Sequence, residues 1–399
     1  MAVISQSRVT GDVEGGAPAG LSVKPGVVLR PQLLEPEIEE AAWGSRDVLP
    51  WLLELPNPQQ RPQAWVHYRP VGAGSAPGGL RVVAVDTPYP LGVRPTAAQA
   101  LAGFQAEEQA GLAVDAAQRL FPDAVGGAVS MVALTPMVLL AGHRPLAEVG
   151  ALINLLGLRA LAPWVTRLVT EGEPARQALW QRLLSLPAGE VRQLVQAALP
   201  SISVHRHPAL LEAGRLALQF PGDAMALAPL LMPMVCLAPG EACTVPAGML
   251  HACLRGTAVL VGAAGPTRLQ AGLSSQYRDP AQLLACVDWT PGAPAVSALS
   301  PCHDGLGAAW QTPGWEIRLW QPEGHAIAIG EPACAAEASG ASVGGEWLLG
   351  LRGQAAIADK QNTWLLGCGQ GLWLPTQPGR YHLCGRGRVL GIRQTGQAG

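Results

Sequence analysis

The stretch "PAGMLHACLRG" at residues 246–256 sets His251 behind a Pro-Ala-Gly turn, with Cys253 two positions on and Arg255 two beyond that. Cys243 precedes the turn. Imidazole nitrogen and thiolate sulfur are the donors that zinc prefers, so Cys243, His251 and Cys253 are candidates for a soft metal site. Free Cys is also commonly a small buried hydrophobe, which is the competing reading. "SVHRHP" at 203–208 offers His205 and His207 two apart, on one face if the segment is extended. No carboxylate or Cys stands beside that pair, and surface or packing roles suit it better, as they do for His67 and His143. A second kind of chemistry belongs to Arg94, Arg255, Arg268 and Arg278. Guanidinium groups gathered around one cleft would bind a phosphate or another anion.

These residues must be positioned by a chain of 399 residues, long enough for two or three domains. The 48 Gly and 36 Pro are spread along its length, which favours many short strands joined by tight turns. Residues 1–28 read as a loose polar arm. "LRVVAVDTPYPLGVRP" is strand-like, and "TAAQALAGFQAEEQAG" is a predicted helix with Thr96 as its cap and Gly111 as its end. From 145 to 218 Leu and Val recur at spacings of three and four, which predicts an inserted helical block of three or four helices. Alternating short strands resume at 219 and run to the C-terminus. They predict a discontinuous β domain (29–144 with 219–295) and a second one at 296–399, each a sandwich or jelly roll.

Composition narrows the function. Formal net charge is −2 and only 14% of residues are charged, so nothing points to nucleic acid. No run of 18 apolar residues appears, and no membrane segment is expected. The eight Cys include no CxxC pair, and the N-terminus has no apolar leader core. Free thiols in a reducing cytoplasm are the plain reading.

Several stretches, in order, resemble the type I phosphomannose isomerases: "AAWGS" (41–45), "LPNP" (55–58), "ALTPM" (133–137) with "GHRPLAEV" (142–149), "LAPGEACTVPAGMLHACLRG" (237–256) and "LQAGLSSQYRDPAQLLACVDW" (269–289). The resemblance implies a mainly β, double-cupin (jelly-roll) fold with a helical insertion, and zinc-dependent interconversion of mannose 6-phosphate and fructose 6-phosphate. It also implies a ligand set: a Gln-x-His pair, a Glu and the His of the Pro-Ala-Gly segment. Only the last is matched, by His251. The Gln-x-His strand corresponds to the shorter "PLGVRP" (90–95), with Arg94 near the lost ligands, and Val129 stands at the Glu position. The family's catalytic Arg and Lys align with Gln270 and Gln276, and its polar upstream segment with "AAGPT" (263–267).

One imidazole does not make a zinc site, and a cation at Arg94 would repel a divalent metal. Aldose–ketose isomerisation needs a base, a polarised carbonyl and stabilisation of the enediolate, and each recognisable supplier is altered. The expectation is therefore a phosphomannose-isomerase-like protein with weak or no isomerase activity and no bound cofactor. Arg94, Arg255 and Arg268 are its candidate sugar-phosphate ligands. Arg268, two positions before Gln270 and on the same strand face, is the candidate stand-in for the lost Arg. Two other readings stay open: an active isomerase whose zinc site is rebuilt from other residues, and a non-catalytic sugar-phosphate-binding or regulatory scaffold.

Overall fold

The computed structural model describes residues 30–70, 80–263, 265–290, 292–302, 307–312, 314–329, 345–375 and 381–395. The expected arm at 1–28 lies outside the described residues.

Ten strands drawn from both sides of the helical block assemble around an eleventh, the long strand His251–Gly262. Its first residues pair antiparallel with Met137–Ala141 and Leu91–Val93. Its later residues pair with Leu80–Val85 and Val129–Ala133. The changeover falls at a bulge between Cys253 and Arg255, followed by Gly256 at φ 110. A Cβ on Gly256 would sit 2.6 Å from the Pro136 carbonyl oxygen, so only glycine lets the strand turn this corner. The strand thus belongs to two sheets that close on each other, and the enclosed space is a cupin barrel.

Alternation along the strands separates inside from outside. Leu250, Ala252 and Leu254, with Leu91, Val93, Leu269 and Ala271, pack outward into the core shared with the helices. Cys253 turns inward, to a lining that includes Val83, Val129, Met131, Leu139 and Cys243. The residues two apart from these inward positions are the ones that can do chemistry inside the barrel.

The helical block comprises Leu146–Leu156, Ala162–Thr170, Glu173–Leu184, Ala188–Val204 and Pro208–Gln219. These are five helices where the periodicity predicts three or four. The breaks fall at Gly157, at Gly172 (both left-handed) and at the Ser185–Pro187 and His205–His207 links. Apolar period does not register such short interruptions. Pro200 sits inside the fourth helix without ending it. The predicted helix after residue 96 spans Ala97–Gln109, with Thr96 and Gln99 forming a reciprocal capping box and left-handed Gly111 following its end.

The C-terminal strands form a second jelly roll from a seven-stranded and a four-stranded sheet. Strand Gln32–Leu34, from the other end of the chain, completes the larger sheet beside Gly371–Leu374. One face of that sheet, with Ile317, Trp347, Leu349 and Ile392, packs on Val66 and Val82 of the first barrel. The other face, with Leu348, Leu372 and Val389, closes on the four-stranded sheet. The fold is mainly β, a double cupin with a helical insertion. No helix among the described residues is long and apolar enough to cross a membrane.

Candidate functional site

His251 opens the long strand directly after the turn of Pro246–Gly248. Gly248, at φ 82, donates its N–H to the Arg94 carbonyl and accepts from the Asp288 N–H, so the turn is pinned to both neighbouring segments. The His251 ring is buried, and its Nδ1 lies 2.9 Å from the Met249 carbonyl oxygen. A carbonyl only accepts, so Nδ1 carries the proton and Nε2 keeps the lone pair. Burial holds the ring's pKa well below its ordinary value, and the charges of Arg268 and Arg94 push it further down. His251 is a neutral imidazole.

Register places the rest of the site. His251 is opposite Gly92, and Gly92 is opposite Gln270, in one row across three strands. Gly92 has no room for a side chain, because a Cβ would come 2.2 Å from the Leu269 carbonyl oxygen. Arg94 follows Gly92 by two and Arg268 precedes Gln270 by two, so both guanidinium groups enter from the face that carries His251 and Gln270. Arg268 donates to the Pro90 carbonyl and, at 2.6 Å, to the His251 carbonyl, with its Cζ 4.4 Å from the centre of the Tyr89 ring. Arg94 donates to the Gly265 carbonyl at 3.0 Å. A third cation, Arg81, donates to the Ala263 carbonyl at 3.2 Å and lies over Trp65. Desolvation lowers the pKa of all three, that of Arg81 to about 10. Trp43, Trp65 and Tyr89 meet edge to face beside them, with ring centroids 4.8 to 6.0 Å apart.

Arg94, Arg268, Gln270 and His251 are thus brought together, and Val129 contributes to the apolar lining of the same barrel. Arg255 does not join them. The bulge at Cys253/Arg255 turns it toward helix Pro208–Gln219, where it donates to buried Glu212 at 3.0 Å. Arg278 pairs with Asp223 instead, and Gln276 is exposed in the loop beyond Ser274. His207 caps helix Pro208–Gln219 through Nδ1, and His205 ends the helix before it. His143 stacks on Trp289 and hydrogen-bonds to the Asp288 carbonyl, while His67 faces Glu39.

The donor set does not fit zinc. His251 offers one lone pair. Burial pushes the thiols of Cys243 and Cys253 up to about 12, so neither supplies a thiolate readily. Among the described residues no three His, Cys, Asp or Glu side chains are grouped to hold a metal ion. Two guanidinium charges beside His251 would oppose a divalent cation. Sequence reasoning missed Arg81, Tyr89 and the two tryptophans. The signal for Arg81 was present: a lone cation inside the β-branched run "LRVVAV", all six residues of which are buried.

No family model matches the chain. Among curated proteins, mannose-6-phosphate isomerase of Salmonella typhimurium is 25% identical over 311 residues, covering 69% of this chain and 79% of that protein. The Escherichia coli mannose-6-phosphate isomerase is 27% identical over 293 residues, 64% of this chain and 74% of its own length. Among solved structures, the Salmonella typhimurium enzyme bound to fructose 6-phosphate and zinc superposes with a TM-score of 0.79. It is 21% identical, and the match covers 92% of this chain and 100% of that one. The apo form from the same organism gives 0.80 over the same shares. With the ordered motifs and the double-cupin architecture, the chain is similar to the type I phosphomannose isomerases, from which it is widely diverged in sequence.

Proposed function

We propose that this protein is a mannose-6-phosphate-isomerase-like member of carbohydrate metabolism that binds a sugar phosphate in its first barrel without a zinc ion. On this reading it interconverts mannose 6-phosphate and fructose 6-phosphate weakly or not at all. The observation that carries the reading is the placement of Arg94 and Arg268 around His251, the one side chain matching the family's zinc ligands. In this reading residues 29–144 and 219–295 form the binding domain, 145–218 its helical insertion and 296–399 the second cupin, in a cytoplasmic protein. Strand Gln32–Leu34 ties the first domain to the second.

The chemistry follows from the side chains. Isomerisation moves a proton between adjacent carbons and develops charge on an enediolate oxygen. His251 could accept a proton only at Nε2, in a site where two neighbouring cations oppose the imidazolium. Gln270 is neutral where the resemblance puts a catalytic Arg. Arg268 stands two residues away, with its fork turned to the Pro90 and His251 carbonyls. Binding is retained by these groups better than turnover is. A coupled mannose 6-phosphate assay on purified protein, run beside elemental analysis and calorimetry with mannose 6-phosphate, tests this. Binding without metal and with negligible turnover is expected. Turnover on the ordinary enzymatic scale of about 1–10³ s⁻¹ that a chelator abolishes would establish a rebuilt zinc centre instead.

A further inference from the structure

We infer that the first barrel takes the oxyanion of its ligand, a carboxylate or a phosphate, between Arg94 and Arg268 beside His251, where the family resemblance puts the metal ion. The inference rests on the proposed ligand-binding role of this barrel and adds which end of the ligand enters it.

Charge compensation carries the argument. Arg94 and Arg268 are 9% and 6% exposed, on one face of one barrel. Among the described residues neither has a carboxylate within 4 Å. Their charge meets only the carbonyls of Gly265, Pro90 and His251 and the Tyr89 side chain. Arg94 makes Arg268 harder to keep protonated, as one buried cation does to another. Asp123 favours the charge on Arg94 through space, but its carboxylate is held by the Thr267 hydroxyl and the Val125 N–H. Buried ions without a counter-charge are strongly disfavoured, and proteins keep them where a ligand supplies the missing charge. Two further polar atoms on the same face are buried and unpartnered: Arg268 Nε, a donor, and Gln270 Oε1, an acceptor. An oxyanion bearing a hydroxyl neighbour would satisfy both, the oxyanion at Nε and the hydroxyl at Oε1. That pattern belongs to a polyol acid or a sugar phosphate and not to a neutral sugar. Tyr89 and Trp65 give such a ligand an aromatic wall.

The alternative is that both arginines only staple loop carbonyls across the space where relatives hold a metal. Calorimetry on the chelator-treated full chain separates the two, with inorganic phosphate, gluconate and mannose as probes. Phosphate, gluconate or both are expected to bind, and mannose is not. Binding of only one of the two anions tells which oxyanion the site prefers. Arg268→Gln and Arg94→Gln are each expected to weaken the anion by about tenfold to a hundredfold, the usual weight of a charge-assisted hydrogen bond. Arg268→Lys keeps the charge without the fork and should fall between, which guards against a Gln variant that fails to fold. No anion binding at all, or binding that survives both Gln variants, overturns the inference. If mannose 6-phosphate binds while its affinity ignores Arg94 and Arg268, the sugar-phosphate reading stands and this inference falls. If gluconate or phosphate binds and mannose 6-phosphate does not, the reverse holds.

Discussion

Both barrels hold arginines wholly or partly out of water, and they treat the charge in opposite ways. In the second, Glu316 is 5% exposed and receives Arg393 at 2.6 Å, Arg318 at 2.8 Å and the Gln311 amide at 2.7 Å. Gln311, Glu316, Arg393 and Glu346 lie in one register row across four strands, with Arg318 two residues along on the face of Glu316. The helical block does the same on a smaller scale, where buried Glu212 takes both Arg215 and Arg255. In the first barrel Arg94 and Arg268 meet carbonyls, and no described carboxylate stands within 4 Å of them. A buried charge supplied with its partner holds strands together, whereas one left without it marks a place for something from solution.

The comparison is most exposed to failure at Glu316. Replacing it with Gln removes the negative charge and turns one of the two acceptor oxygens into a donor facing an arginine, so Glu316→Gln should cost about 3–5 kcal/mol in denaturant unfolding. A loss no larger than that of a surface substitution would show that the second barrel's ladder is not structural.

Acid should act next most strongly, where the helices meet the first barrel. Burial lowers the His143 pKa from 6.5 to about 4, with the Arg176 charge adding to it, and its Nδ1 has no partner to receive a new proton. The unfolded chain therefore binds the proton before the folded one does. The stability this group contributes is present above pH 6.5 and is lost as pH falls to about 4, with a total of about 3 kcal/mol. His251 is shifted in the same direction. His143→Gln should flatten the acid limb of a stability-versus-pH curve over that window. An unchanged limb would place acid sensitivity elsewhere.

The sequence makes the first barrel far more legible than the second. The motif series leads to the double cupin, and the alternation in "TRLQAG" puts Arg268 on the face of Gln270, whereas it is the strand register that sets His251 and Arg94 on that face. Arg255 was misplaced because a bulge at Cys253/Arg255 leaves no mark in the apolar pattern. The ladder around Glu316 was not visible at all. It joins Glu316 to Arg393, 77 positions away, through strand pairing, and no local spacing encodes that. Arg81 was concealed because a buried strand reads as an uninterrupted apolar run except at the one position that matters.

Ligand linkage sharpens the contrast from the first barrel's side. At a concentration a hundredfold above its dissociation constant, an anion bound between Arg94 and Arg268 should stabilise the protein by about 2.7 kcal/mol. The same anion at that concentration should stabilise Arg268→Met by no more than about 1.4 kcal/mol, since the variant binds it at least about tenfold more weakly. Without ligand that variant should unfold within about 1 kcal/mol of the natural chain, since removing a buried cation offsets the two carbonyl bonds lost. A thermal melt of both proteins with and without phosphate checks each point. A large loss in unliganded Arg268→Met would make Arg268 a strut like Arg393, and the two barrels would then differ only in detail.

The smallest effect concerns Glu346, at the end of the second barrel's row. Desolvation raises its carboxyl from 4.5 to about 7, even with Arg393 and Arg318 pulling it down, because Glu316 already engages both arginines. The folded state here holds its proton longer than the unfolded chain does. Its contribution to stability is complete below pH 4.5 and is lost as pH rises through 7. Partial exposure to solvent reduces the loss to about 1 kcal/mol. Glu346→Gln fixes the neutral form, so it should stabilise the protein at pH 8 and change nothing at pH 4. That is the opposite pH sense from His143→Gln, and a double variant should show both limbs changed independently. If Glu346→Gln instead destabilises at pH 8, Glu346 shares the arginines with Glu316 as an ionised partner, and the second barrel is more completely charge-compensated than its geometry indicates.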